Sequence, residues 1–179
     1  MNRSPSSIMR RLVRLGPRPA LMVVLAASAA ILAAAFAMQY LGGLEPCVLC
    51  VWQRYPYGAA IVVATLALLL GRAEPALRIT LVFASAAFLI GAGIAVFNVG
   101  VERHWWPGTK GCAGVIAIPE TLAELEALLR QPAPPRCDQV AWSLFGVSLA
   151  GYNALLSLAL AGLSLGWAVG PKGRPEGER

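Results

Sequence analysis

Four long stretches of this chain carry almost no charge, and they leave few folds open. From Ala20 to Leu41 the residues are nearly all apolar, close to the ~20 that a helix needs to cross the hydrocarbon of a bilayer. Further apolar runs follow at Tyr55–Leu70, Ile79–Val99 and Ser143–Val169. The second reaches a spanning length only if it extends back over Trp52. In lipid, every backbone N–H and C=O must be paired within the chain, so such runs are read as helices. A soluble domain of 179 residues needs more polar surface than 13% charged residues supply. The expectation is an all-α membrane protein, a bundle of four transmembrane helices at about 20–41, 52–70, 79–99 and 143–169, forming a single domain over 1–179. Ala35-Phe36-Ala37 resembles a signal-peptide cleavage site, but the run around it exceeds the ~7–15 residues of a signal core, so a retained helix is expected.

The charges give the orientation. A net charge of +6 raises the question of nucleic acid, but the basic residues sit beside apolar runs rather than on a polar face, which is a topological pattern. Segments 1–19, 71–78 and 170–179 hold ten of the fifteen Lys and Arg; the loops at 42–54 and 100–142 hold Arg54, Arg103, Lys110, Arg130 and Arg136. Because basic residues are retained inside, both termini are expected in the cytoplasm and both loops outside. Tyr40, Trp52, Tyr55, Tyr57, Trp105, Trp106 and Trp142 then fall at the outer interface, where amphipathic rings are favoured. In the second loop, 119–130 repeats leucine at helical spacing with acids between, which predicts a short interfacial helix. Gly162-x-x-x-Gly166 and Gly91-Ala92-Gly93 are expected to serve ordinary close helix packing.

All four cysteines, Cys47, Cys50, Cys112 and Cys137, fall in the two outer loops. Paired cysteines are uncommon in the cytosol and suit an oxidising face such as the bacterial periplasm. Cys47-Val48-Leu49-Cys50 is a Cys-x-x-Cys pair, whose default chemistry is thiol–disulfide exchange. If a helix begins near Pro46, Cys50 lies in its first turn, where unpaired N–H groups favour a thiolate. Arg54, four residues on, would lie on the same face, and both effects are expected to lower the Cys50 pKa. Pro56 leaves open whether the helix runs on unbroken. Structural disulfides are an ordinary reading of exposed cysteines and suit Cys112 and Cys137 alone. A zinc site is not expected, because 24 residues separate the second pair and His104 is the only histidine.

Cys47-Val-Leu-Cys50-x-x-Gln53-Arg54, four apolar runs and a long second outer loop with two cysteines resemble the disulfide bond formation protein B (DsbB) family of the bacterial inner membrane. Gly100-Val101-Glu102, Trp105-Trp106-Pro107-Gly108, Cys137-Asp138 and Trp142-Ser143-Leu144-Phe145-Gly146 add to the resemblance, which covers roughly 20–170. It implies a protein-dithiol:quinone oxidoreductase that reoxidises a periplasmic DsbA-type thiol oxidase and passes two electrons to a membrane quinone, ubiquinone or menaquinone. That a DsbA–DsbB–quinone route keeps the periplasm oxidising is an established property of that family. By the same resemblance, the partner's thiolate attacks Cys112 of a Cys112–Cys137 disulfide, Cys137 attacks Cys47, and Cys50 is freed as the thiolate that faces the quinone. Arg54 matches the family's arginine and would bind thiolate and quinone oxygen together. Where many relatives carry a histidine near the outer end of the third helix, this chain has Asn98, with His104 nearby. The competing reading is a non-enzymatic four-span protein with structural loop disulfides.

Overall fold

A computed structural model of the protein describes residues 16–71, 73–113, 121–122, 126 and 135–170. Most of the expected interfacial helix at 119–130, and most of the basic residues at the two ends, lie outside the described residues.

Among the described residues five α-helices carry the fold: α1 (Pro17–Tyr40), α2 (Val48–Trp52), α3 (Tyr55–Leu69), α4 (Glu74–Glu102) and α5 (Leu149–Val169). Proline opens three of them, in the first two positions of α1, α3 and α4, where its missing N–H has no intrahelical partner to lose. Glu74 adds a negative charge at the start of α4, favourable against the positive end of the helix dipole. Helices α1, α4 and α5 are each long and apolar enough to cross a membrane. The 15 residues of α3 reach roughly 22 Å at 1.5 Å per residue, short of a ~30 Å hydrocarbon core.

The helices pack through small residues. Ala60, Ala64 and Ala67 of α3 meet Leu21 and Val24 of α1 and Leu81, Ala84 and Phe88 of α4 in one buried cluster. Lipid tails give helices no hydrophobic reason to associate, so close backbone approach and interhelical hydrogen bonds hold the bundle. Ser85 donates to the carbonyl of Ala161 across the α4–α5 seam at 2.9 Å, a contact of about 0.6 kcal/mol by the average for such bonds. A β-carbon at Gly91 would stand 3.2 Å from the ring of Pro56, so this glycine sets the α3–α4 distance. Gly162 and Gly166, by contrast, face open space and do not pack within the bundle. At the opposite end of the seam, Arg78 pairs with Glu74 and donates to the carbonyls of Ala168 and Gly170, which supplies partners to the last turn of α5.

Helix α4 opens at Glu74, ahead of the expected Ile79, and two further boundaries differ from the sequence expectation. The run expected as helix from Ser143 begins instead as a two-stranded hairpin, β1 (Ser143–Leu144) and β2 (Val147–Ser148), and α5 opens at Leu149. Phe145 and Gly146 both take positive φ, 50° and 77°, as a tight two-residue hairpin turn requires. Ser148 then caps α5, its hydroxyl accepting the N–H of Gly151 at 3.2 Å. The second difference lies between Cys50 and Pro56: α2 ends at Trp52, Gln53 and Arg54 form a turn, and α3 starts afresh. Pro56 therefore sits where a helix tolerates it.

Candidate functional site

The two cysteine pairs meet at one end of the bundle. Cys47 is the residue that caps α2, its sulfur accepting the N–H of Cys50 at 3.3 Å. Cys50 thus occupies the first turn, as the sequence suggests, but the sulfur that receives the helix N-terminus belongs to Cys47. The Cys47 thiol is held at about 7, chiefly by the hydrogen bond from the Cys50 thiol and against a burial that raises it. Cys50 is pushed up, first because it donates to Cys47 and then because it is buried. The lowered thiol is therefore Cys47, whereas the helix argument from sequence placed it at Cys50. The backbone N–H groups of Leu49 and Cys50 at the helix start lower Cys47 further.

Cys47 and Cys50 are free thiols, and Cys112 is bonded to Cys137. Cys112 lies in a 3-10 turn, Lys110–Ala113, and its sulfur is hydrogen-bonded with the hydroxyl of Thr109 at 3.3 Å. A β-carbon on Gly111 of that turn would touch Val48 at 3.5 Å, so the second loop rests directly on α2. As a result Cys47, Leu49, Val101, Cys112 and Cys137 form one buried cluster, with the two loop sulfurs' residues only 3% and 2% exposed. The spacing in sequence gives no hint of this convergence; packing of the loop on α2 produces it.

On the other side of α2 a cavity of about 420 Å³ opens, walled by α1, α2, the α2–α3 turn, the hairpin and α5. Cys50, Gln53, Arg54, Tyr57, Asn98 and Asn153 supply its polar groups, among apolar residues such as Ile31, Leu32, Met38, Leu149 and Leu156. Asn98 is buried, with its Nδ2 3.9 Å from the Cys50 sulfur. Cys50 alone among the four cysteines lines this cavity, so α2 carries one sulfur toward the loop disulfide and the other toward the apolar space.

A family profile described as disulfide bond formation protein DsbB matches residues 17–167. The chain belongs to the DsbB family. It is accordingly a membrane oxidoreductase of disulfide bond formation. Its relatives include a disulfide bond formation protein B of Herminiimonas arsenicoxydans, 36% identical over 85% of this chain and 88% of the relative. A disulfide bond formation protein B 2 of Pseudomonas entomophila is 30% identical over 81% and 86%. An uncharacterised protein, RP370, of Rickettsia prowazekii is 26% identical over 78% and 80%. No solved structure matches the chain.

In this DsbB-family chain Arg54 lies in the turn after α2, its backbone still right-handed helical, one turn on from Cys50. Its guanidinium turns to α1, donating to Gln39 Oε1 at 2.6 Å and lying 4.9 Å from the centre of the Phe36 ring. It still lines the cavity, fixed by a contact and a cation–π stack that a flexible ammonium reproduces poorly. His104 is exposed, in a left-handed backbone conformation beyond the end of α4, and does not line the cavity. Asn98 does. Among the described residues no cluster of His, Cys, Asp and Glu is arranged to hold a metal. Sequence reasoning missed Tyr57, Asn153 and Ser157 as a polar group inside the bundle. The available signal was Asn153, an amide in an otherwise apolar run, since polar residues at such positions are costly and tend to serve function.

Proposed function

We propose that this protein reoxidises a DsbA-type periplasmic thiol oxidase by disulfide exchange and passes the electrons to a membrane quinone. The single observation that carries the reading is the division of the Cys-x-x-Cys pair: Cys47 packs against the Cys112–Cys137 disulfide, and Cys50 lines an apolar cavity. A structural staple has no use for this arrangement; a relay between a protein thiol and a lipid-soluble acceptor needs it.

The exchange balances as follows. The partner's thiolate attacks the Cys112 sulfur, the Cys112–Cys137 bond breaks, and Cys137 leaves as a thiolate. Both loop cysteines are buried, so the docking partner has to open their cover. Cys137 attacks Cys47 of a Cys47–Cys50 disulfide, forming a Cys137–Cys47 bond and freeing Cys50. The partner's second thiol releases it in oxidised form, and the Cys112 thiolate then attacks Cys137, restoring the loop disulfide and freeing Cys47. The bonding seen here, loop pair joined and Cys47 and Cys50 free, corresponds to this last point. Two electrons then leave the Cys47–Cys50 pair as its bond re-forms.

The cavity residues fit a quinone. Its volume is in the range of small-molecule sites, its walls are apolar, and two of its lining residues, Gln53 and Asn98, each carry a buried amide atom, Nε2 and Oδ1, that finds no hydrogen-bond partner. Arg54, Gln53 and Asn98 would hold the head group, and Cys50 would face it. When bound, a quinone supplies the two-electron acceptor that a thiol partner of about −120 mV requires. In this reading α3 makes a fourth crossing together with the α2 turn, both termini lie in the cytoplasm, and the cysteines face the periplasm of the inner membrane. Trapping tests it: in the double variant Cys50→Ala/Cys112→Ala, oxidation should join Cys47 to Cys137, identified by mass spectrometry of non-reduced peptides. Absence of that bond in inserted protein would remove the loop-to-loop step.

A further inference from the structure

Gln53 is 5% exposed, and its two amide atoms have opposite circumstances. Oε1 accepts from Asn153 Nδ2 at 2.6 Å, while Nε2 is buried without a partner on a residue that lines the cavity. Behind it stands a continuous brace. Tyr57 donates to Asn153 Oδ1 at 2.5 Å and is hydrogen-bonded with Ser157 at 2.7 Å. Because Tyr57 donates to Asn153, Ser157 has to donate to Tyr57, and Asn153 has only its N–H groups left for Gln53. Every hydrogen bond in the chain thus runs in one direction and leaves a donor at its end.

Leaving a buried amide N–H without a partner is costly, and three residues from two helices, Asn153, Tyr57 and Ser157, converge to hold this one in place. Arg54, the donor that the motif makes conspicuous, is by comparison already engaged with Gln39 and Phe36. We propose that Gln53 is a ligand-positioning and specificity residue: its Nε2 donates to a ring oxygen of the quinone, and Asn153, Tyr57 and Ser157 keep it aimed. This rests on the quinone reading above. It selects rings bearing an acceptor at that point, and it gives the head group a hydrogen bond independent of Arg54.

The test is direct binding of decylubiquinone and menadione, each carbon-13 labelled at the carbonyls, to full-length protein in detergent. Affinity is read by titration and the carbonyl stretch by infrared difference spectroscopy. In the wild type one carbonyl band should be lowered by hydrogen bonding. Gln53→Met should weaken binding about tenfold, the equivalent of ~1.4 kcal/mol, and return that band toward its free position. Ser157→Ala, which alters a residue outside the cavity wall, should weaken binding about two- to threefold and broaden the band. It also carries the test if Gln53→Met does not accumulate. Wild-type affinity and an unmoved band in the variants would overturn the assignment while leaving the quinone reading intact; a brace of reversed polarity, with an oxygen facing the ring, would do the same. No binding of either quinone to the wild type would overturn both.

Discussion

A methyl group at Gly100 should destabilise this protein, and the damage should vanish once one indole is removed. Gly100 lies in α4 where the ring of Trp106 folds back over the helix. A β-carbon there would fall inside the indole's contact surface, and even the third-nearest ring atom, Cη2, is 2.7 Å away, against the ~3.5–4.0 Å of ordinary contact. Trp106 has to swing out. It then loses the bond from its Nε1 to the carbonyl of Phe97, 3.0 Å long, about 0.5–1.5 kcal/mol. It also loses its stack on Phe97, 5.8 Å between centroids, about 0.5–1.5 kcal/mol. Gly100→Ala is therefore expected to lose about 1–3 kcal/mol of contacts, of which the better helix propensity of alanine returns about 1 kcal/mol, measured by unfolding in detergent. In a Trp106→Ala background the same change should be neutral or mildly stabilising, because alanine is the better helix former by about 1 kcal/mol. An equal cost in both backgrounds would refute the clash. The consequence reaches the site, since the segment after Trp106 brings Gly108 against Cys112, where an added β-carbon would be 2.7 Å from the cysteine's own.

Other outcomes follow from the cysteines and their neighbours. Cys47, lowered to about 7, should be alkylated by iodoacetamide with a rate that rises through a midpoint near pH 7. Its thiolate is present above that pH and lost below it, and Cys50→Ala should move the midpoint up toward the ordinary thiol value. Cys137→Ala leaves Cys112 without its mate, so a disulfide-linked adduct with an oxidised DsbA-type partner should accumulate on non-reducing gels. Arg54→Lys should raise the quinone KM and Arg54→Met should raise it further, since Lys keeps the charge but loses the planar contact with Gln39 and Phe36; unchanged KM in Arg54→Met would reduce this residue to a structural tie between α1 and α3.

What the sequence discloses is what lipid enforces. Uninterrupted apolar runs have to be helical, and α1, α4 and α5 are where composition puts them. The hairpin at Ser143–Ser148 escapes notice because Leu144, Phe145 and Val147 are as apolar as the helix that follows; only the Phe145-Gly146 pair signals a turn, and phenylalanine is a rare occupant of positive φ. The activated thiol is misplaced for a similar reason. Pro46 marks the helix start to within two residues, yet that shift decides whether Cys47 lies inside the first turn or caps it. Gln53 stands in the motif that carries the family resemblance, but its partner Asn153 is a hundred positions away, and no local pattern connects them. The Cys112–Cys137 bond, implied by resemblance, is present.

In the proposed relay, electrons entering at the loop disulfide leave through Cys50 to a quinone. Anaerobic turnover of purified protein with a reduced DsbA-type partner and a short-chain quinone tests it by stoichiometry. One quinol should form per partner disulfide made, and no quinol at all in Cys50→Ser. Partner oxidation without quinol, or quinol formation surviving in Cys50→Ser, would contradict it.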